Sequence, residues 1–422
     1  MSELNALLLQ HDLPRQPGER QDWLGLVGSA SALAIAEAAV AHPGAVVVVT
    51  TGTAEAEQLR RALRFFMGPD ADIELMPDWE VLPYDLFSPH QSIISERLRA
   101  LHRLPARRQG VVLIPVATLM QRIAPPSFLA HNVTTLSVGE RLDLIQTRRE
   151  LEQAGYRCVA EVMEHGEFAV RGSIHDLFPM GASAPFRVDL FDTDIDSIRR
   201  FDPETQRSTD KLNAIELLPA HEFPSDEAGI GHFRYQYRAR FEGDPMASPV
   251  YQSITDGHIP AGIEAYLPLF FDDTATLFDY LPSQALTMRY GSIDNELDAE
   301  WEQINARYEQ RRHDIERPLL APAELFLNPD AVREGLHQWP LVDIIEDTKR
   351  ESARARDRQF PVRPLPDLSS EPGEAQDLSA LQAFHADFPG QILVTAETAG
   401  RRETLRERLR ASGLSVRDTP SW

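Results

Sequence analysis

Short β-branched runs and helical stretches alternate from residue 23 to residue 122. Trp23 to Val27 is brief and apolar, and Ser29 to Val40 is an alanine-rich helical stretch that Pro43-Gly44 breaks. Ala45-Val46-Val47-Val48-Val49 is the kind of run that lies buried on both faces of a parallel sheet. Thr53 is a candidate N-cap for a helix through Phe66, Ile73 to Met76 a further strand, and Asp78 to Tyr84 a structured loop. Ser92 to Leu104 reads as a helix and Val111-Val112-Leu113-Ile114 as a second buried strand. Together these predict a three-layer α/β domain.

From about Val138 the period shortens. Leu142 to Ala154 is helical, and Val162 to Asp202 reads as a set of short alternating strands. In the segment Pro185 to Phe191, a period of two puts Phe186, Val188 and Leu190 on one side and Arg187, Asp189 and Phe191 on the other, wet side. Upstream, Phe168 and Val170 point one way and Glu167, Ala169 and Arg171 the other. A large aromatic among arginines on a polar sheet face is the pattern of a protein-binding hot spot. The same pattern also fits a phenylalanine that ends its strand and tucks under a neighbouring loop.

Asp202 to Gln206 reads as a turn and Ala214 to Leu217 as a strand, which closes a small α+β unit. Residues 218–282 are irregular and proline-punctuated. Their aromatics Tyr266, Phe270, Phe271, Phe278 and Tyr280 read as core rather than as a cofactor box. Residues 293–316 form a long helix with Leu297, Trp301, Ile304 and Tyr308 in one stripe. The stretch 348–376 resembles a linker. It holds a basic cluster from Lys349 to Arg358, either solvated surface or a nucleic-acid contact, followed by four prolines from Pro361 to Pro372. A last βα unit, Ile392 to Thr395 and then Arg401 to Leu409, is too little to complete a sheet domain, so the chain is expected to be part of a longer protein.

Counting residues removes several chemistries. Lys211 and Lys349 are the only lysines among 42 basic residues. A phosphate-binding loop needs a lysine after its glycines, and the first strand–helix turn, Gly25 to Ser31, has glycines and serines but none. That turn serves close packing instead, and no ATP hydrolysis is expected. Cys158 is the single cysteine, which excludes an intrachain disulfide and a multi-cysteine zinc site and suits a reducing compartment. His165, His175 and His221 lack metal-ligand spacing. Asp192, Asp194 and Asp196 lack the glycine and glutamate of a calcium loop and read as the wet face of an edge strand. No catalytic triad, metal or cofactor is expected. No apolar run is long enough for a bilayer and the first residues do not form a signal peptide, so the expected setting is cytoplasmic, without membrane contact. The length of 422 residues suggests two to four domains at ~100–200 residues each. A formal charge of −23 opposes nucleic-acid binding and favours protein partners.

Gly166-Glu167-Phe168-Ala169-Val170-Arg171-Gly172, Asp176-Leu177-Phe178-Pro179 and Phe191 to Arg199 with Phe201-Asp202-Pro203 resemble a domain shared by the excinuclease component UvrB and the transcription-repair coupling factor family. Asp78-Trp79-Glu80, Leu82 to Asp85, Phe87 to Gln91, Leu119 to Arg122, Leu218 to Pro224 and Pro260 to Glu264 favour the coupling factor. The resemblance runs from about residue 20 to the C-terminus. Relative to UvrB, the chain lacks the phosphate-loop lysine and has no room after Tyr84-Asp85 for a damage-probing hairpin.

The resemblance implies a degenerate RecA/P-loop-like three-layer domain (1–127 completed by 214–347), with an inserted small α+β partner-docking domain (128–213). A linker (348–376) and a C-terminal α/β domain cut short (377–422) follow. It implies a non-catalytic adaptor whose inserted domain binds the excinuclease component UvrA through Arg171, Arg187 and Phe191 in transcription-coupled nucleotide excision repair. It also implies a C-terminal region of the full-length protein that masks this surface, and contacts with RNA polymerase and DNA only through parts beyond this chain. Arg187→Ala or Phe191→Ala is expected to weaken UvrA binding while leaving the melting temperature nearly unchanged. The competing readings are an ATP-dependent DNA helicase of the UvrB type, and a DNA-binding module working through the 349–358 cluster.

Overall fold

A seven-stranded, wholly parallel sheet organises the first part of the chain and is rejoined near its end. The computed structural model describes residues 12–346, 357–366, 368, 378–396 and 398–419. The strand order across the sheet is Arg358–Gln359, Arg20–Leu24, Leu341–Ile345, Leu286–Tyr290, Val46–Thr50, Val111–Pro115 and Ile73–Leu75. Val46–Thr50 and Val111–Pro115 are buried at every position, as their unbroken apolar runs require in a sheet covered on both faces. On one face Val46, Val48, Val111 and Leu113 pack with helices Ala30–Ala41 and Thr53–Met67. On the other, Val47, Val49, Val112 and Ile114 meet helices Gln91–Arg103 and Ile293–Arg311. The result is a three-layered α/β arrangement.

Between Pro115 and Leu286 the chain leaves this sheet and builds a second one of six strands. Its order is Ser208–Leu212, Asp194–Phe201, Phe186–Phe191, Ile174–Phe178, Glu167–Arg171 and Arg157–Cys158, antiparallel except for the last pair. One face of it (Phe168, Leu177, Phe186, Val188, Ile198) belongs to the same continuous core as Val47 and Val112 of the parallel sheet. Helix Leu144–Gln153 starts at Asp143, whose carboxylate accepts from the Ile145 and Gln146 amides.

Several sequence expectations are corrected. The first strand begins at Arg20 rather than Trp23, and Gly52, not Thr53, caps the second helix. There the Glu55 carboxylate folds back onto Thr51, accepting from its amide at 2.9 Å and its hydroxyl at 2.6 Å. The long helix ends at Arg311, because Asp314 turns the chain by accepting from the Glu316 and Arg317 amides. Residues 218–282 are not irregular throughout: they hold helices Glu227–Arg240 and Pro249–Thr255. The aromatics Tyr266, Phe270 and Tyr280 are buried core residues, with Phe271 and Phe278 packed against them.

Asp194 and Asp196 are not on an edge strand. Asp194–Phe201 lies between two partners, and Asp192 sits in the turn before it. The basic cluster 349–358 lies outside the described residues except for its last two positions. The expected linker gives an edge strand, Arg358–Gln359, to the parallel sheet, and Phe360 then packs edge-on against Trp23 at 5.5 Å. Ile392 to Thr395 forms no strand, since no described segment pairs with it, and a helix at Ser379–Asp387 precedes it. Ala399–Ala411 is helical, as expected from the run Arg401 to Leu409.

Candidate docking surface

The second face of the six-stranded sheet carries all three candidate residues, but they do not form one cluster. In the register, Asp176 stands between Arg187 on one neighbouring strand and Ala169 on the other. Its carboxylate is wholly buried. Arg187 grips it with two parallel hydrogen bonds, Nε to Oδ1 at 2.7 Å and Nη2 to Oδ2 at 2.9 Å. Arg171 donates to the same carboxylate through Nη2. Two guanidiniums thus share one buried anion, the geometry in which arginine outperforms lysine. Those hydrogen bonds push the Arg187 guanidinium further up from its already high range. Arg187 also lies over the Phe201 ring at 5.0 Å and donates to the Gln206 carbonyl at 3.3 Å.

The arginines differ in what remains free. The Arg187 side chain is 18% exposed and largely committed to Asp176, whereas Arg171 is 47% exposed. Arg187→Ala therefore cannot be silent for stability, contrary to the expectation from the sequence: it removes the bidentate partner of a buried carboxylate. Asp176 itself was missed in the sequence. The available signal was one acid in a short strand that ends in Leu177 and Phe178, since a buried charge requires partners.

Much of this face is not wet. Ala169, Phe178 and Phe201 join Val162 in a small core of their own. Glu167, expected in water, is buried and accepts from the Met163 and Glu164 amides, each at 2.9 Å, which fastens the covering segment. Exposure is found along the edge strand Ser208–Leu212 and at the far end of the sheet. At that far end Phe191 is 79% exposed, so no loop covers it. It pairs with Asp194 across a two-residue turn in which Asp192 adopts a left-handed conformation (φ 58°), one that Asp tolerates better than most residues. Phe191 lies four residues along the strand from Arg187, roughly 13 Å at ~3.3 Å per residue.

On the opposite, apolar face His175 faces Val188 across the register. It is fully buried and neither ring nitrogen has a hydrogen-bond partner. Burial pushes it down to about 4.

The turn Gly25 to Ser31 is a packing device in this structure. Gly25 and Gly28 take φ of 81° and 59°, and the buried Ser31 hydroxyl donates to the Leu26 carbonyl at 2.9 Å. Nine residues of the following helix are buried. Among the described residues no group of three or more His, Cys, Asp or Glu side chains could hold a metal ion. No helix among them is long and apolar enough to cross a membrane.

Residues 134–223, which include the whole six-stranded sheet, match the UvrB interaction domain, and residues 384–422 match the MFD D3 domain. The transcription-repair-coupling factor of Haemophilus influenzae is 44% identical over 408 residues, covering 96% of this chain and 35% of that protein. That of Escherichia coli is 41% identical over 401 residues, 95% of this chain and 35% of that protein. The Myxococcus xanthus factor is 28% identical over 348 residues, 77% of this chain and 28% of that protein. The chain spans about a third of the length of the first two. Over nearly its whole length, then, this chain is similar to transcription-repair-coupling factors, and it matches the UvrB interaction domain and the MFD D3 domain.

Proposed function

We propose that this chain is a non-catalytic adaptor that docks the excinuclease component UvrA and so links it to stalled RNA polymerase in transcription-coupled nucleotide excision repair. The observation that carries the reading is an uncovered Phe191 at the open end of a sheet inside a UvrB interaction domain, with Arg171 and Arg187 on the same face. Phe191 fills an apolar pocket on the partner. Arg171 supplies charge-assisted hydrogen bonds, and Arg187 mainly holds Asp176, and through it the Arg171 side chain, in place. On this reading residues 128–213 are an insert in a degenerate RecA-like domain made of 1–127 and 214–347. Residues 348–376 link it to the start of a further domain at 377–422. A C-terminal part of the full-length protein would mask the surface, and RNA polymerase and DNA would be met through parts beyond this chain.

The test is a calorimetric titration of UvrA with the wild-type chain and with Phe191→Ala. Losing such an anchor removes ~2 kcal/mol, about thirtyfold in affinity. Equal affinity for both proteins would overturn the reading. The helicase alternative has its own assay: DNA-stimulated ATP hydrolysis should be absent, because the Gly25 to Ser31 turn offers no lysine to the phosphates.

A further inference from the structure

A groove of about 900 Å3 runs between helix Gln91–Arg103 and the insert, away from Arg171, Arg187 and Phe191. One wall presents Arg99, His102, Arg103, Arg107 and Arg108, and the opposite wall Leu212, Ala214 and Glu216. Met180, Gly181 and Ala182 line it between the walls. That stretch is fixed in place: Gly181 has φ 80°, its amide donates to Ser95 Oγ at 2.8 Å, and a Cβ there would stand 2.8 Å from Leu218 Cδ1.

The charge balance of the basic wall is unequal. The buried Glu74 carboxylate accepts from Arg99 Nε at 3.1 Å, Arg103 Nη1 at 3.3 Å and Arg107 Nη1 at 3.5 Å. Three guanidiniums share this one anion. Asp72 compensates Arg107 at 2.5 Å, while Arg108 is exposed and adds a fourth. Arg103 and Arg108 therefore face the groove with charge to spare, in a chain whose formal charge is −23.

We propose that this groove binds an acidic, extended polypeptide segment, with its carboxylates on Arg103 and Arg108 and its apolar side chains against Leu212 and Ala214. A nucleic acid fits less well. A nucleic acid carries a phosphate at every residue and cannot avoid the exposed carboxylates of Asp72 and Glu216, whereas a peptide can set apolar side chains beside them. The aromatic in the lining, Phe186, is buried and offers no face on which a base could stack.

The experiment is fluorescence anisotropy with two labelled probes of equal length, a peptide of alternating Glu and Leu and an oligo-dT strand, each titrated with the full chain. The peptide should bind saturably and more weakly as NaCl rises. The double variant Arg103→Glu/Arg108→Glu should weaken it about tenfold or more. If that variant melts early, the exposed Arg108→Glu alone decides, with an expected loss of about threefold. Phe191→Ala should leave peptide binding intact, which separates this proposal from the docking of UvrA. No saturable binding of the peptide, equal binding by the charge-reversed variants, or tighter binding of oligo-dT would each overturn it.

Discussion

Asp176 decides how the residues at the docking surface respond to mutation. It is a buried anion held by two cations, and breaking a buried pair from one side commonly costs about 3–5 kcal/mol. Arg187→Ala should therefore lose about 3 kcal/mol of stability in urea denaturation, less if Arg171 moves in to compensate, and Asp176→Ala at least as much. Phe191→Ala should change stability by no more than about 0.5 kcal/mol, since the side chain already lies in water. An Arg187→Ala protein as stable as Phe191→Ala would show that the carboxylate cluster contributes nothing. Three buried or partly buried histidines set a pH dependence in the same molecule. Burial lowers His175 and His221 to about 4 from 6.5 and moves His165 in the same direction. His175 and His221 are neutral when folded and take up a proton on unfolding below about 6.5, so their contribution is complete above that pH and lost as the pH falls toward 4, and His165 acts in the same sense. Glu264, raised by burial to about 7, has the opposite sign: its contribution is present below 4.5 and lost as the pH rises through 7. The histidines outnumber it, so stability should fall from pH 6.5 to 5, and His175→Leu should flatten that slope. An unchanged slope in the variant would refute the assignment to His175.

Elements were legible where their own residues repeat and illegible where a partner defines them. The β-branched runs at Val46–Thr50 and Val111–Pro115 could only be buried strands. Helix Glu227–Arg240 escaped notice because its buried positions, Gly229, Phe233 and Tyr237, form a narrow stripe that starts on a glycine. That glycine is needed: a Cβ there would sit 2.4 Å from the Pro224 carbonyl oxygen. Strand Ser208–Leu212 is polar throughout most of its length and exists through its ladder to Asp194–Phe201. Arg358–Gln359 is two residues long and is a strand only because Arg20–Leu24 offers an open edge. Phe360 anchors that edge from a buried position. Phe360→Ala should cost about 3 kcal/mol, as for other large core truncations. A melting temperature equal to wild type would mean the strand is not held through this residue.

At the scale of the molecule the two sheets share one core, in which Val47 and Val112 of the parallel sheet and Phe168 and Val188 of the six-stranded sheet belong to the same packed cluster. Unfolding of the insert would expose the apolar floor of the first domain, so both parts should melt in one calorimetric transition. Two resolved transitions would show the insert to be an independent unit. The shared core also orients the candidate surface. Burying Phe168, Val188 and Leu190 toward the parallel sheet turns Arg171, Arg187 and Phe191 outward.

The sequence by itself determined the parallel strands, the alternating insert, the lack of a phosphate-loop lysine and the side of the sheet on which Phe191 lies. Each of these depends on a residue's chemistry or on a period of two or 3.6, and both are written along the chain. Only the tertiary structure decided that Asp176 binds both arginines, that part of the supposed wet face is a second small core, and that a distant segment completes the parallel sheet. Those facts come from residues far apart in sequence being packed together, where a buried charge must find partners and an open strand edge can be paired, and no local pattern records which partner it will be.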